Sequence, residues 1–151
     1  MKTIFLLGSK VDMEHAESIS GPLKDEWGIE CEVFVGSAHK VPKKVAALIE
    51  RYNEEQDVVY VTIAGRSNAL SGVVAANAVH PVIGCPPHKT KEDFMVNINS
   101  TLMMPSETPV MTVCDPKNCV LSVVKIFAPK DEGLRGRVVE RITNVKDSFD
   151  L

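Results

Sequence analysis

The chain has 151 residues, of which 44% are hydrophobic and 25% are charged, and its formal net charge at pH 7 is −3. This length suits one globular domain with a substantial core, so we treat 1–151 as a single domain. A small negative charge without a run of Lys or Arg disfavours a surface for nucleic acid or anionic membranes. The apolar start of the chain is too short for a signal peptide, and we expect a cytoplasmic protein.

The four cysteines form no Cys-x-x-Cys pair and lie in or beside apolar segments; they are Cys31, Cys85, Cys114 and Cys119. This distribution predicts reduced thiols in the core rather than a disulfide framework. The four histidines lack the spacing of metal ligands, so we expect no metal site.

The first half of the chain alternates apolar runs with helical patterns. Strands are predicted over Thr3–Leu7 and Cys31–Val35. A helical pattern covers Met13–Trp27, but Gly21-Pro22 lies inside it and predicts a kink or a break. A second helix is expected from Pro42, because proline is favoured in the first turn of a helix.

The middle of the chain contains the longest β-branched run, Val58–Ile63, which is typical of a strand covered on both faces. A helix is predicted over Ala69–Ala78 and a short buried strand over Val82–Cys85. His88–Asp93 is predicted to be a polar loop, followed by a weakly helical segment over Phe94–Leu102.

The last third predicts a fifth strand, two helices and an unpartnered apolar surface. The strand covers Val110–Val113, and a helix runs from Asp115-Pro116 to Phe127. The final helix, over about 132–150, has an apolar stripe formed by Leu134, Val138, Val139, Ile142 and Val145. We expect this helix to dock across the domain or on a neighbouring subunit.

Alternating strands and helices imply a parallel sheet with right-handed crossovers. The sequence therefore predicts an α/β fold of three layers: a doubly wound, five-stranded parallel sheet between helices, with an extra C-terminal helix.

Three of the predicted strands end in loops of small and polar residues: Gly8 to Asp12, Gly36 to Lys40, and Gly65 to Asn68. A parallel sheet brings such loops to one edge, where ligands bind. Their hydroxyls, cations and main-chain amides suit a phosphate, and a carboxylate suits ribose hydroxyls. None of the loops has a dinucleotide-binding or P-loop pattern, which disfavours those two classes of ligand.

His39 is the candidate for proton transfer, because imidazole takes up and releases a proton readily near neutral pH. The alternative is a loop histidine that only donates or accepts a hydrogen bond. His15 and His80 are interpreted as structural or exposed, and His88 as a weaker candidate for the wall of a site.

Four short motifs occur in order along the chain: G-S-x-x-D at Gly8–Asp12, S-A-H-K at Ser37–Lys40, A-G-R-S-N-x-L at Ala64–Leu70 and C-P-P at Cys85–Pro87. Together they make the chain resemble the aminoimidazole ribonucleotide (AIR) carboxylases and carboxyaminoimidazole ribonucleotide mutases of purine biosynthesis. The resemblance covers about residues 2–127.

Within that family, the resemblance is to the branch that carboxylates AIR directly with carbon dioxide. Lys40 stands where the mutase branch has arginine, and Arg66-Ser67-Asn68 replaces a loop that carries a second histidine. The resemblance implies a flavodoxin-like fold, carbon dioxide as co-substrate without metal or organic cofactor, and a homo-octamer with active sites shared between subunits.

The resemblance also implies roles for individual residues. His39 would remove the ring proton after carbon–carbon bond formation, Lys40 and Ser37 would bind substrate and carboxylate, Ser9 the phosphate and Asp12 the ribose. Gly65 and Ser67 would contact ligand through main chain and hydroxyl. The complete candidate set is Gly8, Ser9, Asp12, Ser37, Ala38, His39, Lys40, Ala64, Gly65, Arg66, Ser67 and Leu70.

Three positions depart from the family pattern: Val11 replaces a serine near the phosphate, Met103 replaces an arginine, and Pro22 interrupts a helix. The leading hypothesis is an ATP-independent AIR carboxylase, a carboxy-lyase that also catalyses the reverse decarboxylation. The alternatives are the mutase reaction on the N-carboxylated isomer and a non-catalytic nucleotide- or phosphosugar-binding protein. A flavin-binding electron carrier rests on fold analogy alone.

Overall fold

The computed structural model describes residues 1–149. Its five strands are β1 (Lys2–Leu7), β2 (Glu30–Val35), β3 (Val58–Ile63), β4 (Val82–Gly84) and β5 (Met111–Thr112). Its six α-helices are α1 (Met13–Asp25), α2 (Pro42–Asn53), α3 (Ala69–Asn77), α4 (Lys91–Leu102), α5 (Pro116–Phe127) and α6 (Glu132–Asp147). Short 3₁₀ turns precede α1 and α6, at Lys10–Asp12 and Ala128–Lys130.

The strands form one sheet in the order β2-β1-β3-β4-β5, and every neighbouring pair is parallel. The predicted five-stranded doubly wound sheet is therefore confirmed. The strand order reverses at β1, so the loops after β1 and β3 lie side by side at the switch point, where ligands bind in such sheets.

Alternate residues of the central strands belong to two separate hydrophobic layers, one on each face of the sheet, because successive side chains in a strand point to opposite faces. Phe5 and Leu7 face α1 and α5, whereas Ile4 and Leu6 face α2 and α3. Both faces of β1 and β3 are buried, which explains why their sequences are continuously apolar rather than alternating.

Helix α1 is unbroken through Pro22, so the prediction of a break there was wrong. A proline leaves the carbonyl four residues earlier without its helical partner. In α1 that residue is Ser18, which is exposed, so water can satisfy the carbonyl. The helix is also stabilised by the burial of Ala16, Ile19 and Leu23 on its inner side.

Other boundaries also differ from the predictions. Helix α4 starts at Lys91, inside the segment predicted as loop, because Thr90 caps it by accepting a hydrogen bond from the Asp93 amide (3.1 Å). β4 ends one residue early, and β5 retains only two residues of the predicted four.

Helix α6 packs its first half on its own domain. Leu134 and Val138 are buried in the core layer of α1 and α5, and the Arg137 guanidinium lies 4.9 Å from the centre of the Trp27 ring. Val139, Ile142 and Val145 remain 40–58% exposed, so three of the five residues of the predicted stripe are unpartnered in the protomer. The last predicted helical residue, at 150, lies outside the described residues.

Cys31, Cys85 and Cys119 are buried and Cys114 is half-buried, all as free thiols, so the predicted core location holds for three of the four. No helix within residues 1–149 has both the length and the apolar character needed to cross a bilayer.

Candidate functional site

A cavity of about 630 Å³ opens at the carboxyl edge of the sheet, between the loops that follow β1, β2, β3 and β4. Eleven of the twelve candidate residues line it: Gly8, Ser9, Asp12, Ser37, Ala38, His39, Ala64, Gly65, Arg66, Ser67 and Leu70. Lys40 is exposed and lies outside this lining. The three loops of small and polar residues therefore meet in one site, as parallel topology predicts.

The turn after β1 presents a hydroxyl beside a buried carboxylate. The Ser9 amide donates a hydrogen bond to Asp12 Oδ2 (3.0 Å), which fixes the turn and leaves the Ser9 side chain exposed. Burial raises the pKa of Asp12, while the Ser9 amide opposes that shift. Asp12 thus supplies an oriented acceptor at the wall of the cavity.

The loops after β1 and β3 approach each other closely at Gly8. Its amide donates to the Ile63 carbonyl (2.9 Å), and a Cβ on Gly8 would lie 3.1 Å from the Ala64 Cβ. Glycine is needed here for this close approach, which lets main-chain groups of both loops face the same ligand.

The turn after β2 carries the imidazole. The Ser37 carbonyl accepts hydrogen bonds from the Lys40 amide (3.2 Å) and the Val41 amide (2.9 Å), which closes a tight turn around Ala38 and His39. His39 is exposed at this turn and lines the cavity. Its side chain is therefore free to exchange a proton with a bound molecule.

The loop after β3 has an unusual backbone. Arg66 adopts the left-handed conformation, with a φ of 60°, between Gly65 and Ser67. The next residue, Asn68, is buried and caps α3 by accepting a hydrogen bond from the Ser71 amide (3.1 Å). Asn68 thus fixes the start of α3, which begins at Ala69 as predicted.

The structure adds wall residues that the sequence analysis missed or discounted: Val11, Glu14, His15, Ser18, Pro87, His88, Lys89, Asp93 and Asn97. His15 was interpreted as structural or exposed, but it lines the cavity, with its Nε2 3.4 Å from Cys85 Sγ. His88 stacks edge-on against Phe94, with 5.1 Å between the ring centres.

The helical spacing of Asp12 and His15, three residues apart, was the available signal for His15, because such residues share one helix face. His80 instead lies at the other end of the sheet, with its Nε2 2.9 Å from the Tyr52 carbonyl oxygen. No group of three or more His, Cys, Asp or Glu within residues 1–149 is arranged to hold a metal ion.

The arrangement suits a small anionic ligand with hydroxyl groups. Hydroxyls and main-chain amides surround the cavity, Arg66 and Lys89 provide cations, and Asp12 provides an acceptor. His39 adds a group for acid–base chemistry within the same wall.

Comparison with known proteins gives a consistent result. The family model described as AIR carboxylase matches residues 2–148. The phosphoribosylaminoimidazole carboxylase of Archaeoglobus fulgidus is 46% identical over 140 residues, which is 93% of this chain and 76% of that protein. The N5-carboxyaminoimidazole ribonucleotide mutase of Methanocaldococcus jannaschii is 36% identical over 89% of this chain and 84% of its own length.

A solved structure confirms the fold. The crystal structure of Treponema denticola PurE superimposes with a TM-score of 0.88 at 37% identity, covering 97% of this chain and 92% of that one. The names of these two sequence relatives describe different reactions: the first is a carboxylase, and the second is a mutase that acts on a carboxylated ribonucleotide.

Proposed function

We propose, because the chain belongs to the AIR carboxylase family of purine biosynthesis, that it carboxylates 5-aminoimidazole ribonucleotide directly with carbon dioxide. The product is 4-carboxy-5-aminoimidazole ribonucleotide, and no ATP is consumed. The observation that supports this most is that His39 lines the same cavity as Ser9, Asp12 and Ser67, although three separate loops of the sequence supply them.

The binding half of the proposal assigns one loop to each part of the substrate. Ser9 binds the phosphate, and Asp12 accepts hydrogen bonds from the ribose hydroxyls. Ser37, together with the main chain of Gly65 and the hydroxyl of Ser67, lies toward the imidazole and the new carboxylate. Such positioning contributes much of the rate when two reactants must meet in one orientation.

The chemical half needs only a proton acceptor. The amino group makes the aminoimidazole ring an enamine, so its C4 supplies the electron pair for the new bond to carbon dioxide. The electrons of one C–O π bond of carbon dioxide move onto its oxygen, which gives the carboxylate. C4 then carries both the carboxylate and its hydrogen; His39 removes that proton and the ring regains its aromatic electrons. A positioned acid–base group typically contributes about a hundred- to ten-thousand-fold in rate.

Lys40 follows His39 in the same turn but lies outside the lining of the cavity. We assign its ammonium group to the carboxylate at the rim, next to the imidazole. Lys40→Met is therefore expected to raise the KM for carbon dioxide while the protein keeps its affinity for the ribonucleotide.

The choice between carboxylase and mutase rests on Lys40 and Arg66-Ser67-Asn68, where the mutase branch has an arginine and a loop with a second histidine. The test is incubation with AIR and bicarbonate, and in parallel with the N-carboxylated isomer, both without ATP. Product from AIR supports the proposal. Product from the isomer alone assigns the mutase reaction, and binding without product from either assigns a non-catalytic nucleotide-binding protein.

His39→Asn tests the acid–base role within the same assay. This variant is expected to lose turnover and to keep binding of AIR, measured by calorimetry. His80→Asn is the matched control, because His80 lies at the opposite end of the sheet and does not line the cavity. Full activity in His39→Asn would assign the proton transfer to another residue.

We also propose that the chain assembles as a homo-octamer in the cytoplasm, with sites completed by neighbouring subunits. The exposed part of the α6 stripe supports assembly, since Val139, Ile142 and Val145 form one apolar face without a partner in the protomer.

A further inference from the structure

Helix α4 contributes one buried amide, Asn97, to the wall of the cavity. Asn97 is only 7% exposed although it belongs to a helix with little apolar burial of its own. A buried amide must find partners for both its ends, because an unpaired polar group in the interior is costly.

The two ends of the Asn97 side chain join two different loops. Its Oδ1 accepts a hydrogen bond from the Arg66 amide (2.7 Å), in the loop after β3. Its Nδ2 donates a hydrogen bond to the Pro87 carbonyl (2.6 Å), in the loop after β4. Both loops line the cavity, so one side chain sets the distance between two of its walls.

The loop after β3 needs such a partner because of its backbone conformation. Arg66 is not a glycine, yet its φ of 60° lies in the left-handed region that L-residues with a Cβ disfavour. Gly65 lies directly against the Asn97 amide, where an added Cβ would be 3.0 Å from Nδ2. Asn97 thus contacts Gly65 closely and binds the Arg66 amide, and both contacts favour the observed conformation of this loop.

Two other residues of α4 bind Asn68, the residue that precedes α3, and do not bind the loop at Gly65 and Arg66. Ser100 Oγ accepts from the Asn68 amide (2.6 Å), and Thr101 Oγ1 accepts from Asn68 Nδ2 (3.0 Å). These bonds fix the start of α3. Asn97 bonds to the loop two residues earlier, next to Ser67, which faces the cavity.

We propose that Asn97 is a positioning residue, which holds the left-handed loop at Gly65 and Arg66 so that Ser67 and the loop main chain meet the reacting ring. This inference rests on the proposed carboxylation for its kinetic consequence. Asn97 itself takes no part in bond making or proton transfer. Its effect is to keep the reacting atoms correctly oriented, because a small displacement of them lowers the rate strongly.

The experiment compares Asn97→Ala, Asn97→Asp and the control Asn99→Ala, which removes an exposed amide from the same helix. Hydrogen–deuterium exchange followed by mass spectrometry reports on the peptide spanning residues 63–70, which contains the Arg66 amide. Loss of its hydrogen bond in Asn97→Ala is expected to speed exchange there by about tenfold. Asn97→Asp keeps an acceptor for that amide and is expected to restore most of the protection.

The kinetic readout separates positioning from a general loss of structure. Asn97→Ala is expected to lower kcat by about ten- to a hundred-fold, while the KM for AIR changes little because the phosphate is bound by a different loop. Asn97→Asp is expected to recover part of kcat, and Asn99→Ala to match wild type.

Unchanged exchange in Asn97→Ala, or faster exchange with unchanged kcat, would overturn the inference. If Asn97→Ala does not fold, Asn97→Asp decides: the Arg66 amide must keep near wild-type exchange, since the acceptor is retained, and kcat must fall below wild type, since the bond to the Pro87 carbonyl is lost. A wild-type protein without turnover on either substrate refutes the proposed function instead, and the exchange at Arg66 then decides the role of Asn97 alone.

Discussion

The His15 imidazole contacts the Cys85 thiol at the wall of the cavity, with 3.4 Å between Nε2 and Sγ. Cys85 is fully buried directly after β4, and its thiol also contacts the thiol of Cys119 in helix α5. The hydrogen bond from Cys119 and then the contact with His15 lower the pKa of Cys85 to about 6, while burial and the charge of Asp115 oppose the shift. The same pairing and burial raise the pKa of Cys119.

This pair predicts a pH dependence of stability. A thiol whose pKa is lower in the folded protein stabilises the fold above its unfolded value of 9.0, and that stabilisation is lost as the pH falls toward 6. Relative to Cys85→Ser, the free energy of unfolding of the wild type should therefore rise between pH 6 and 9. The slope should reach at most about 1.4 kcal/mol per pH unit.

Urea denaturation of both proteins across that range measures the difference. Cys31→Ser is the control, because burial raises the pKa of Cys31 to about 11, so Cys31 should add little slope below about pH 8 and a slope of the opposite sign near pH 9. Equal slopes for the wild type and Cys85→Ser would show that Cys85 keeps its proton in the folded protein.

A second prediction concerns two glycines with opposite surroundings. At Gly84 an added Cβ would lie 2.9 Å from Thr101 Cγ2 and 3.0 Å from Val110 Cγ1, whereas at Gly136, within α6, nothing beyond the backbone of its own helix lies within 4 Å of that position. Gly84→Ala should lower the free energy of unfolding by about 1–3 kcal/mol through overpacking. Gly136→Ala should raise it by about 0.5–1 kcal/mol, since glycine is a poor helix residue.

Thermal unfolding of the two variants beside wild type tests this pair. A stable Gly84→Ala would show that α4 and the segment before β5 can move apart. A destabilised Gly136→Ala would indicate that this part of α6 is covered in the assembled protein.

The sequence was informative where a signal is local and periodic. The apolar runs of β1 and β3 and the small-polar loops behind them predicted the sheet and the three loops that line the cavity, because parallel topology fixes which strand ends meet. Ala64 and Leu70 were implied only by the family resemblance. Asn97 could not be found this way. Its importance depends on the distance from α4 to the Arg66 amide and the Pro87 carbonyl, and no local pattern encodes that distance.

Helix α1 shows the opposite failure, in which a local rule was overridden. Pro22 predicted an interruption, but the buried apolar side of the helix and the exposure of Ser18 compensate for one missing hydrogen bond. Lys40 is a third case: adjacency to His39 predicted that both would line the cavity, yet Lys40 is exposed and lies outside the lining.

A third prediction follows from Val11, which is 81% exposed and lines the cavity near Ser9. If Ser9 binds the phosphate, Val11→Ser adds a second hydroxyl beside it. One such hydrogen bond contributes about 0.5–1.5 kcal/mol, so the KM for AIR should fall by about two- to tenfold. The kcat should be unchanged, because the phosphate is remote from the reacting carbon.

Steady-state kinetics with AIR as the varied substrate provide the measurement, and Val79→Ser is the control, since Val79 is 72% exposed and does not line the cavity. A KM unaffected by Val11→Ser would place the phosphate elsewhere in the cavity.

The last prediction concerns the exposed half of α6. Its apolar residues Val139, Ile142 and Val145 are 58%, 40% and 51% exposed, while Leu134 and Val138 of the same helix are buried in the protomer. If this face packs on another subunit, Ile142→Glu places a charge in an apolar contact, where desolvation without a partner is costly. The variant should then form smaller assemblies than wild type, measured by light scattering after gel filtration. Glu140→Lys, on an exposed residue of the same helix, should keep the wild-type mass. An unchanged mass in Ile142→Glu would mean that subunits associate through other surfaces, such as the exposed Met95 and Leu102 of α4.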